Sequence, residues 1–194
     1  MPAPAEAFDA YAIAGYFGGA LGRAERRPMI KAWLEESRTR AVAAAQTKGL
    51  SGAGAQSYID QHQFDFAAAL AARELRDGAV SGDSAETLSD LIGRVWPYHA
   101  QVAQAHGLDL ILYGGGIDAA ATGDAALSAF LQHLNYAPEM GGLYTTLLEG
   151  WKAVGGQLFS VTADVRDPTT SGSGGALRHL EDSNPRWDAL VAFQ

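Results

Sequence analysis

The sequence predicts an α/β domain, a partial (β/α) barrel with about three parallel strands and surrounding helices. Three short apolar runs, at residues 11–17, 108–113 and 158–165, have the near-continuous apolarity of strands covered on both faces. Segments with apolar residues at helical spacing lie between these runs, and this alternation indicates parallel strands joined by helical crossovers. No linker or internal repeat divides the chain, so we expect residues 1–194 to form one domain.

The ends of the predicted strands indicate where a ligand would bind. The first strand stops at Gly18-Gly19 and the second at glycines 114–116. The third is less apolar and precedes a loop rich in Thr, Ser and Gly at 167–176. Since α/β folds bind ligands at the carboxyl ends of their strands, these three segments form the predicted site.

The helices are predicted from apolar spacing and from capping signals. Asp83 followed by Glu86 is a capping box, and Pro97 kinks the helix after it or begins a new one. Asn184 before Pro185 predicts the start of the last helix. The predicted helical segments are 30–46, 59–73, 83–102, 127–134, 143–151 and the residues from 185 onward.

Composition excludes several classes of function. The chain has no cysteine, which excludes disulfides and thiolate zinc sites. A formal net charge of −8 argues against nucleic acid and against an anionic membrane surface as partners. No apolar run approaches the ~18 residues of a membrane span, and residues 1–9 lack the features of a signal peptide. We therefore expect a cytoplasmic protein by default, with no cofactor and no metal.

Five ordered segments resemble one family. They are FDAYAIAGYFGG at 8–19, SYIDQHQFDFA at 57–67, WPYHAQVAQAHGLDLILYGGG at 96–116, FLQHLNYAPEMGGLYTTLLEGW at 130–151 and GALRHLEDSNPRWDAL at 175–190. Together they resemble the C-terminal region of bacterial glycoside-hydrolase-like proteins with a (β/α)₈ barrel. The resemblance implies that the three strands correspond to the sixth, seventh and eighth strands of such a barrel.

The chain departs from the family at the positions that carry the chemistry. Where the family has Tyr-Glu-Gly-Gly-(Thr or Gln)-His, this sequence has Tyr113-Gly114-Gly115-Gly116, and Asp118 stands where the histidine is expected. The next loop, 119–124, is shortened, and the family's Trp-Gly-Ser-Trp-Gly pattern is Ser-Gly-Ser-Gly-Gly at 171–175. The glutamate and both aromatic platforms are therefore missing together.

The resemblance implies that the standard retaining chemistry is disabled. A retaining glycosidase needs two carboxyl groups about 5–5.5 Å apart, one as nucleophile and one as acid/base. The family's nucleophile corresponds to Gly114, which has no side chain. The family's acid/base residue lies at the end of the fourth strand of the barrel, which this chain does not contain.

Two acidic residues are candidates for a substitute role. Asp118 lies just beyond the second strand and either replaces the lost carboxylate or caps the next turn. Glu139 either points toward a pocket or begins a helix, where an acid in the first turn is favoured by the helix dipole. His62 lies on the apolar stripe of its helix, and a hydrogen-bonded core histidine is favoured there over a metal ligand.

The remaining candidates are ligand-binding residues. Aromatic side chains at strand ends either stack on a sugar or fill the barrel mouth. Glycines and short hydroxyl side chains would line the same pocket. The candidates are Tyr16, Phe17, Tyr113, Gly114, Gly115, Ser171 and Ser173.

Three strands cannot close a barrel, which needs about eight. Two sheet edges and one inner face would then be exposed, and exposed edges invite pairing. We therefore expect a homo-oligomer, or a complementing chain that supplies the rest of the barrel.

Two hypotheses about function follow. The first is a glycoside-hydrolase-like domain that takes a carbohydrate or another small molecule, in which residual hydrolysis would run through Asp118. The second is a non-catalytic or engineered scaffold derived from such a barrel. Whether the chain is an enzyme stays open between them.

Overall fold

The computed structural model describes residues 7–120, 123–169 and 175–193. Three strands, β1 (Ala10–Phe17), β2 (Asp109–Ile117) and β3 (Leu158–Val161), form one sheet in the order β1-β2-β3. Both strand pairs are parallel. The predicted fold class is confirmed: the structure is α/β, with an open three-stranded parallel sheet and surrounding helices, consistent with a partial barrel.

Eight α-helices lie in the described ranges. They are α1 (Arg27–Thr47), α2 (Gly52–His62), α3 (Asp65–Asp77), α4 (Leu88–Asp90), α5 (Trp96–Ala105), α6 (Ala125–Leu134), α7 (Glu139–Ala153) and α8 (Pro185–Ala192). A π turn, Leu91–Val95, joins α4 to α5, and two 3₁₀ turns, Gly19–Gly22 and Ala24–Arg26, precede α1. None of these helices combines the length and apolarity that crossing a membrane requires.

One face of the sheet packs on the helices and forms the core. The side chains of Ile13, Phe17, Leu110 and Leu112 alternate along β1 and β2 and are all buried. Side chains two residues apart in a strand point to the same face, so this alternation defines the covered face. Behind it, tryptophans from α5 and α7 pack edge to face.

The opposite face of the sheet is open in the described part of the chain. Tyr16 is 36% exposed, Tyr113 64% and Leu158 52%, and these residues belong to the three different strands. We call this surface, with Ala12 and Ile111, the open face. Parallel sheets are normally covered on both faces, so the open face is unusual for an isolated domain.

The second strand is longer than predicted. The sequence was interpreted as a strand that stops at Tyr113, but β2 continues through the three glycines to Ile117. The register with β1 shifts after Ile13, so that Leu112 pairs with Ile13 while Gly114 pairs with Ala14. This bulge lets the ladder continue through residues without side chains. The third strand is shorter than predicted and ends at Val161.

The helix predicted at 59–73 is two helices. The chain turns at Gln63 and Phe64, and a hydrogen bond of 2.7 Å between His62 Nδ1 and Asp65 Oδ2 spans this turn. Because of the break, α3 buries Ala67, Ala68, Ala71, Ala72 and Leu75 in place of the expected stripe. His62 is hydrogen-bonded as expected, but it is partly exposed and does not belong to the core.

The capping box at Asp83 does not begin a helix. The helix begins at Leu88 instead, where the hydroxyl of Thr87 accepts a hydrogen bond from the backbone N–H of Asp90. Pro97 was predicted to kink the helix or to begin a new one, and in the structure the π turn Leu91–Val95 directly precedes α5. Proline lacks an N–H group, and the local widening of the helix accommodates that missing donor.

The predictions for the last three helices are confirmed. The expected apolar faces of α6 (Leu127, Phe130, Leu131, Leu134) and α7 (Leu143, Leu147, Leu148, Trp151) are buried. The side chain of Asn184 caps α8 by accepting from the backbone N–H groups of Arg186 and Trp187.

Candidate functional site

The carboxyl ends of β1 and β2 lie side by side and position Asp118. Phe17 pairs with Ile117 in the ladder, and the backbone N–H of Asp118 donates to the carbonyl of Phe17 at 2.9 Å. Asp118 is therefore fixed beside the Gly18-Gly19 turn that ends β1. This is the edge at which parallel sheets carry their ligand sites, as the sequence predicted.

A second carboxylate, Glu86, reaches the same edge. Its carbonyl accepts a hydrogen bond of 2.8 Å from the N–H of Gly18. Glu86 has a φ of 59°, which is uncommon for a residue with a side chain. Glu86 Oε2 lies 3.1 Å and the Asp118 carbonyl oxygen 3.7 Å from the point where a Cβ on Gly19 would stand. A side chain at residue 19 would thus crowd the Glu86 carboxylate and touch the backbone of Asp118.

The two carboxyl groups have different electrostatic surroundings. Asp118 is an exposed residue, but partial desolvation raises the pKa of its carboxyl group, and the negative charge of Glu86 raises this pKa further. Glu86 forms an ion pair with Arg23, which follows the first 3₁₀ turn. The edge therefore holds one carboxyl group that retains its proton more readily and one that is paired with a guanidinium.

The sequence did not reveal Glu86 or Arg23 as site residues. Glu86 was interpreted as the partner of Asp83 in a helix cap, a purely local interaction. In the structure Asp83 accepts instead from Arg26 Nη2 at 2.6 Å. The left-handed turn at Glu86 depends on a backbone bond to Gly18, 68 residues earlier in the chain, and no sequence pattern signals such a contact.

Gly114 lies under the phenol of Tyr16. A Cβ at residue 114 would be 2.6 Å from Tyr16 Oη. The hydroxyl of Thr162, just after β3, donates to Tyr16 Oη at 3.2 Å. The tyrosine therefore occupies the space into which a longer side chain at position 114 would project.

The other predicted ligand-binding residues divide between the two faces of the sheet. Tyr16 and Tyr113 lie on the open face, where a ligand can reach them. Phe17 lies on the covered face, is 1% exposed and packs edge to face on Tyr144, so it cannot stack on a ligand. Gly115 is also buried, and a Cβ there would lie only 2.9 Å from the carbonyl oxygen of Gly15. Ser171 and Ser173 lie outside the described residues.

Glu139 is the first residue of α7, in agreement with the helix-start interpretation. Its Oε2 atom is buried and has no hydrogen-bond partner within the described ranges. Its negative charge acts on His133, whose pKa is lowered by burial and partly restored by Asp65 and Glu139. These contacts connect Glu139 to the helices around it, and none of them connects it to Asp118.

No cluster of three or more His, Asp or Glu side chains suited to a metal ion occurs among the described residues. A cleft of about 550 Å³ lies along β3 and is lined by Phe159, Val161, Asp164, Trp187 and Leu190, among others. In the described structure β3 pairs only with β2, so this cleft follows a free edge of the sheet.

Family models, curated proteins and solved structures were all compared with the chain, and none matches. The resemblance to a barrel glycoside hydrolase therefore stays a prediction.

Proposed function

We propose that this chain is a glycoside-hydrolase-like domain with a pocket of sugar-site type, in which hydrolysis runs through Asp118 and does not need the missing nucleophile. The observation that carries this proposal is the meeting of Asp118 and Glu86 at the carboxyl edge of the sheet, in unlike surroundings. Glycosidases work with two carboxyl groups whose environments separate their protonation states.

The roles follow from those surroundings. Asp118, which retains its proton more readily, is the general acid that protonates the glycosidic oxygen. Glu86, held by Arg23, is the carboxylate that accepts a proton from the attacking water. The water oxygen bonds to the anomeric carbon as the bond to the leaving oxygen breaks. No covalent intermediate at residue 114 is needed.

Replacing Asp118 by Asn tests this proposal. The variant should lose turnover of a panel of nitrophenyl glycosides, by the roughly 10²–10⁴-fold that general acid catalysis contributes. The matched control is Asp109→Asn, because Asp109 is exposed at the opposite end of the same strand. Unchanged rates in the Asp118 variant would remove hydrolysis through this residue.

The open face supports a second candidate function, a non-catalytic scaffold or assembly protein derived from such a barrel. Tyr113 and Leu158 expose apolar surface there, and in the described structure Leu158 lies on an edge strand. The occupant would be a second copy or a complementing barrel chain. Natural proteins rarely leave apolar surface and strand edges uncovered together.

Light scattering separates the two candidates. The assembly hypothesis expects a mass above 20.4 kDa that falls when Tyr113 or Leu158 is replaced by Lys. Leu180→Lys is the control, since Leu180 is the most exposed of the large apolar side chains and belongs to no strand. A monodisperse monomer would contradict assembly while leaving hydrolysis to be judged on turnover.

A further inference from the structure

A small cavity lies between the carboxyl ends of β2 and β3. Its volume is about 30 Å³, and its lining includes Gly115, Tyr144, Thr162, Gly175 and Arg186. A cavity needs about 10–15 Å³ to hold one water-sized oxygen, so this one has room for about two. It is too small for a sugar ring and fits a flat group with two oxygens.

Among the described residues that line the cavity, Arg186, on α8, is the one with a charged side chain. It is 3% exposed. Its Nη1 donates to Asn135 Oδ1 at 2.8 Å, and its Nη2 donates to the carbonyls of Gly175 at 3.2 Å and Ala176 at 3.3 Å. All three acceptors are neutral.

The charge of Arg186 has no counter-ion in the described part of the chain. None of the ion pairs there includes it. Its Nε is buried and has no hydrogen-bond partner within the same residues. The rings of Tyr136 and Tyr144 lie 5.6 and 5.9 Å from the guanidinium carbon and offset only part of its desolvation. A buried charge of this kind is stable when an anion joins it.

The rest of the lining also favours an anion. Its described residues include no Asp or Glu. The hydroxyl oxygen of Tyr144 accepts a hydrogen bond from the N–H of Ile117 at 3.2 Å, so its own hydrogen is directed elsewhere. Ile117 also lines the cavity and directly precedes Asp118 in the chain.

We propose that this cavity binds the carboxylate of an acidic sugar, with Arg186 supplying the charge and Tyr144 a hydroxyl hydrogen bond. A guanidinium matches the planar geometry of a carboxylate. Phosphate and sulfate carry four tetrahedral oxygens, and the cavity has room for about two, so these anions fit it less closely. The carboxylate subsite stands on the cavity itself, and the assignment to a sugar rests on the proposed function.

The test titrates the intact chain with glucuronate, glucose, acetate and sulfate at constant ionic strength. Backbone amide NMR shifts of Gly115, Gly175 and Ile117 report the cavity. Glucuronate should shift these amides with saturation, acetate should shift them more weakly, and glucose and sulfate should not. Equal shifts with sulfate would overturn the proposal, as would no response to either carboxylate. A response to acetate that glucuronate does not exceed would overturn the sugar assignment.

Three variants sharpen the result. Tyr144→Phe keeps the ring that packs on Phe17 but removes the hydroxyl, and it should weaken glucuronate binding at least fivefold. Tyr136→Phe is the matched control, because Tyr136 bonds Asp182 through its hydroxyl and does not line the cavity. Arg186→Lys should abolish binding, with thermal unfolding as the check on its fold. Equal affinities in the two tyrosine variants would overturn the role of Tyr144.

Glucuronate binding tests the subsite, and turnover tests the proposed function. Asp118→Asn should leave the saturable glucuronate shifts unchanged while it removes turnover. If Asp118→Asn loses turnover but the native chain does not bind glucuronate, only the subsite is refuted. Binding without any turnover in the native chain would refute the hydrolase alone.

Discussion

The two faces of the sheet belong to the same three strands but to opposite environments. On the covered face, Leu112 and Phe17 are almost completely buried against the helices. On the open face, Tyr16 and Tyr113 are exposed to a third or more of their surface. The alternation of side chains along each strand separates stability from function: one set of residues holds the domain together, and the other is available to a ligand or a partner.

The largest expected difference between the faces is the effect of truncating a leucine. Leu112→Ala removes a fully buried side chain and should lower the free energy of unfolding by about 2–5 kcal/mol. Leu158→Ala removes a half-exposed leucine on the open face and should cost less than about 1 kcal/mol. Urea unfolding measures both, and comparable losses would show that the open face is covered in solution.

The second largest difference is expected in the stability cost of replacing a glycine on each face by alanine. A Cβ at Gly15 would overlap Leu112 Cδ1 and approach Trp96 at 3.3 Å, within the packed core. Gly15→Ala should therefore cost about 1–3 kcal/mol by overpacking. At Gly114 the same addition meets only the tip of the partly exposed Tyr16 and should cost less than about 1 kcal/mol. A larger cost at Gly114 than at Gly15 would show that the two faces are assigned wrongly.

Placing a glutamate at position 114 tests the description of the open face. The new side chain must displace Tyr16 and break its bond to Thr162. A double-mutant cycle of Gly114→Glu with Tyr16→Ala should give a coupling of about 0.5–1 kcal/mol in unfolding free energy. Glycosidase activity gained only in the double variant would identify a sugar site that Tyr16 blocks. If the effects of the two substitutions on unfolding free energy are strictly additive, the contact between Tyr16 and residue 114 does not oppose the glutamate.

The smallest expected effect concerns pH. The pKa of Asp118 is raised in the folded chain, so the folded state binds a proton more readily than the unfolded state. The stability that Asp118 contributes is therefore fully present below the unfolded pKa and is lost as pH rises through the folded pKa. Asp118→Asn should be more stable than wild type at pH 7, by less than about 0.5 kcal/mol for so exposed a group, and equal to it near pH 3. Thermal unfolding at the two pH values measures this, and a larger gain at low pH would reverse the sign.

Much of the fold could be predicted because it depends on local patterns. The apolar faces of α6 and α7 and the cap at Asn184 follow from spacing within one helix. The end of β2 was predicted wrongly, because glycines usually end strands. Here their missing side chains leave room for the hydroxyls of Tyr16 and Tyr144.

The candidate site was predicted only in part, because it depends on contacts between distant segments. Asp118 was found from its place after a strand. Glu86 and Arg23 were missed, since their meeting requires a turn that Gly18 stabilises from far away in the chain. Arg186 was missed because arginine is almost never fully buried without a partner, and no sequence signal marks the exception.

The position of Tyr16 over Gly114 has a consequence for evolution. A substitution that places an acid at residue 114 must move the Tyr16 side chain, so the residues acceptable at one position depend on the residue at the other. An acid at residue 114 is accommodated most easily where residue 16 carries a smaller side chain, and we expect substitutions at the two positions to occur together.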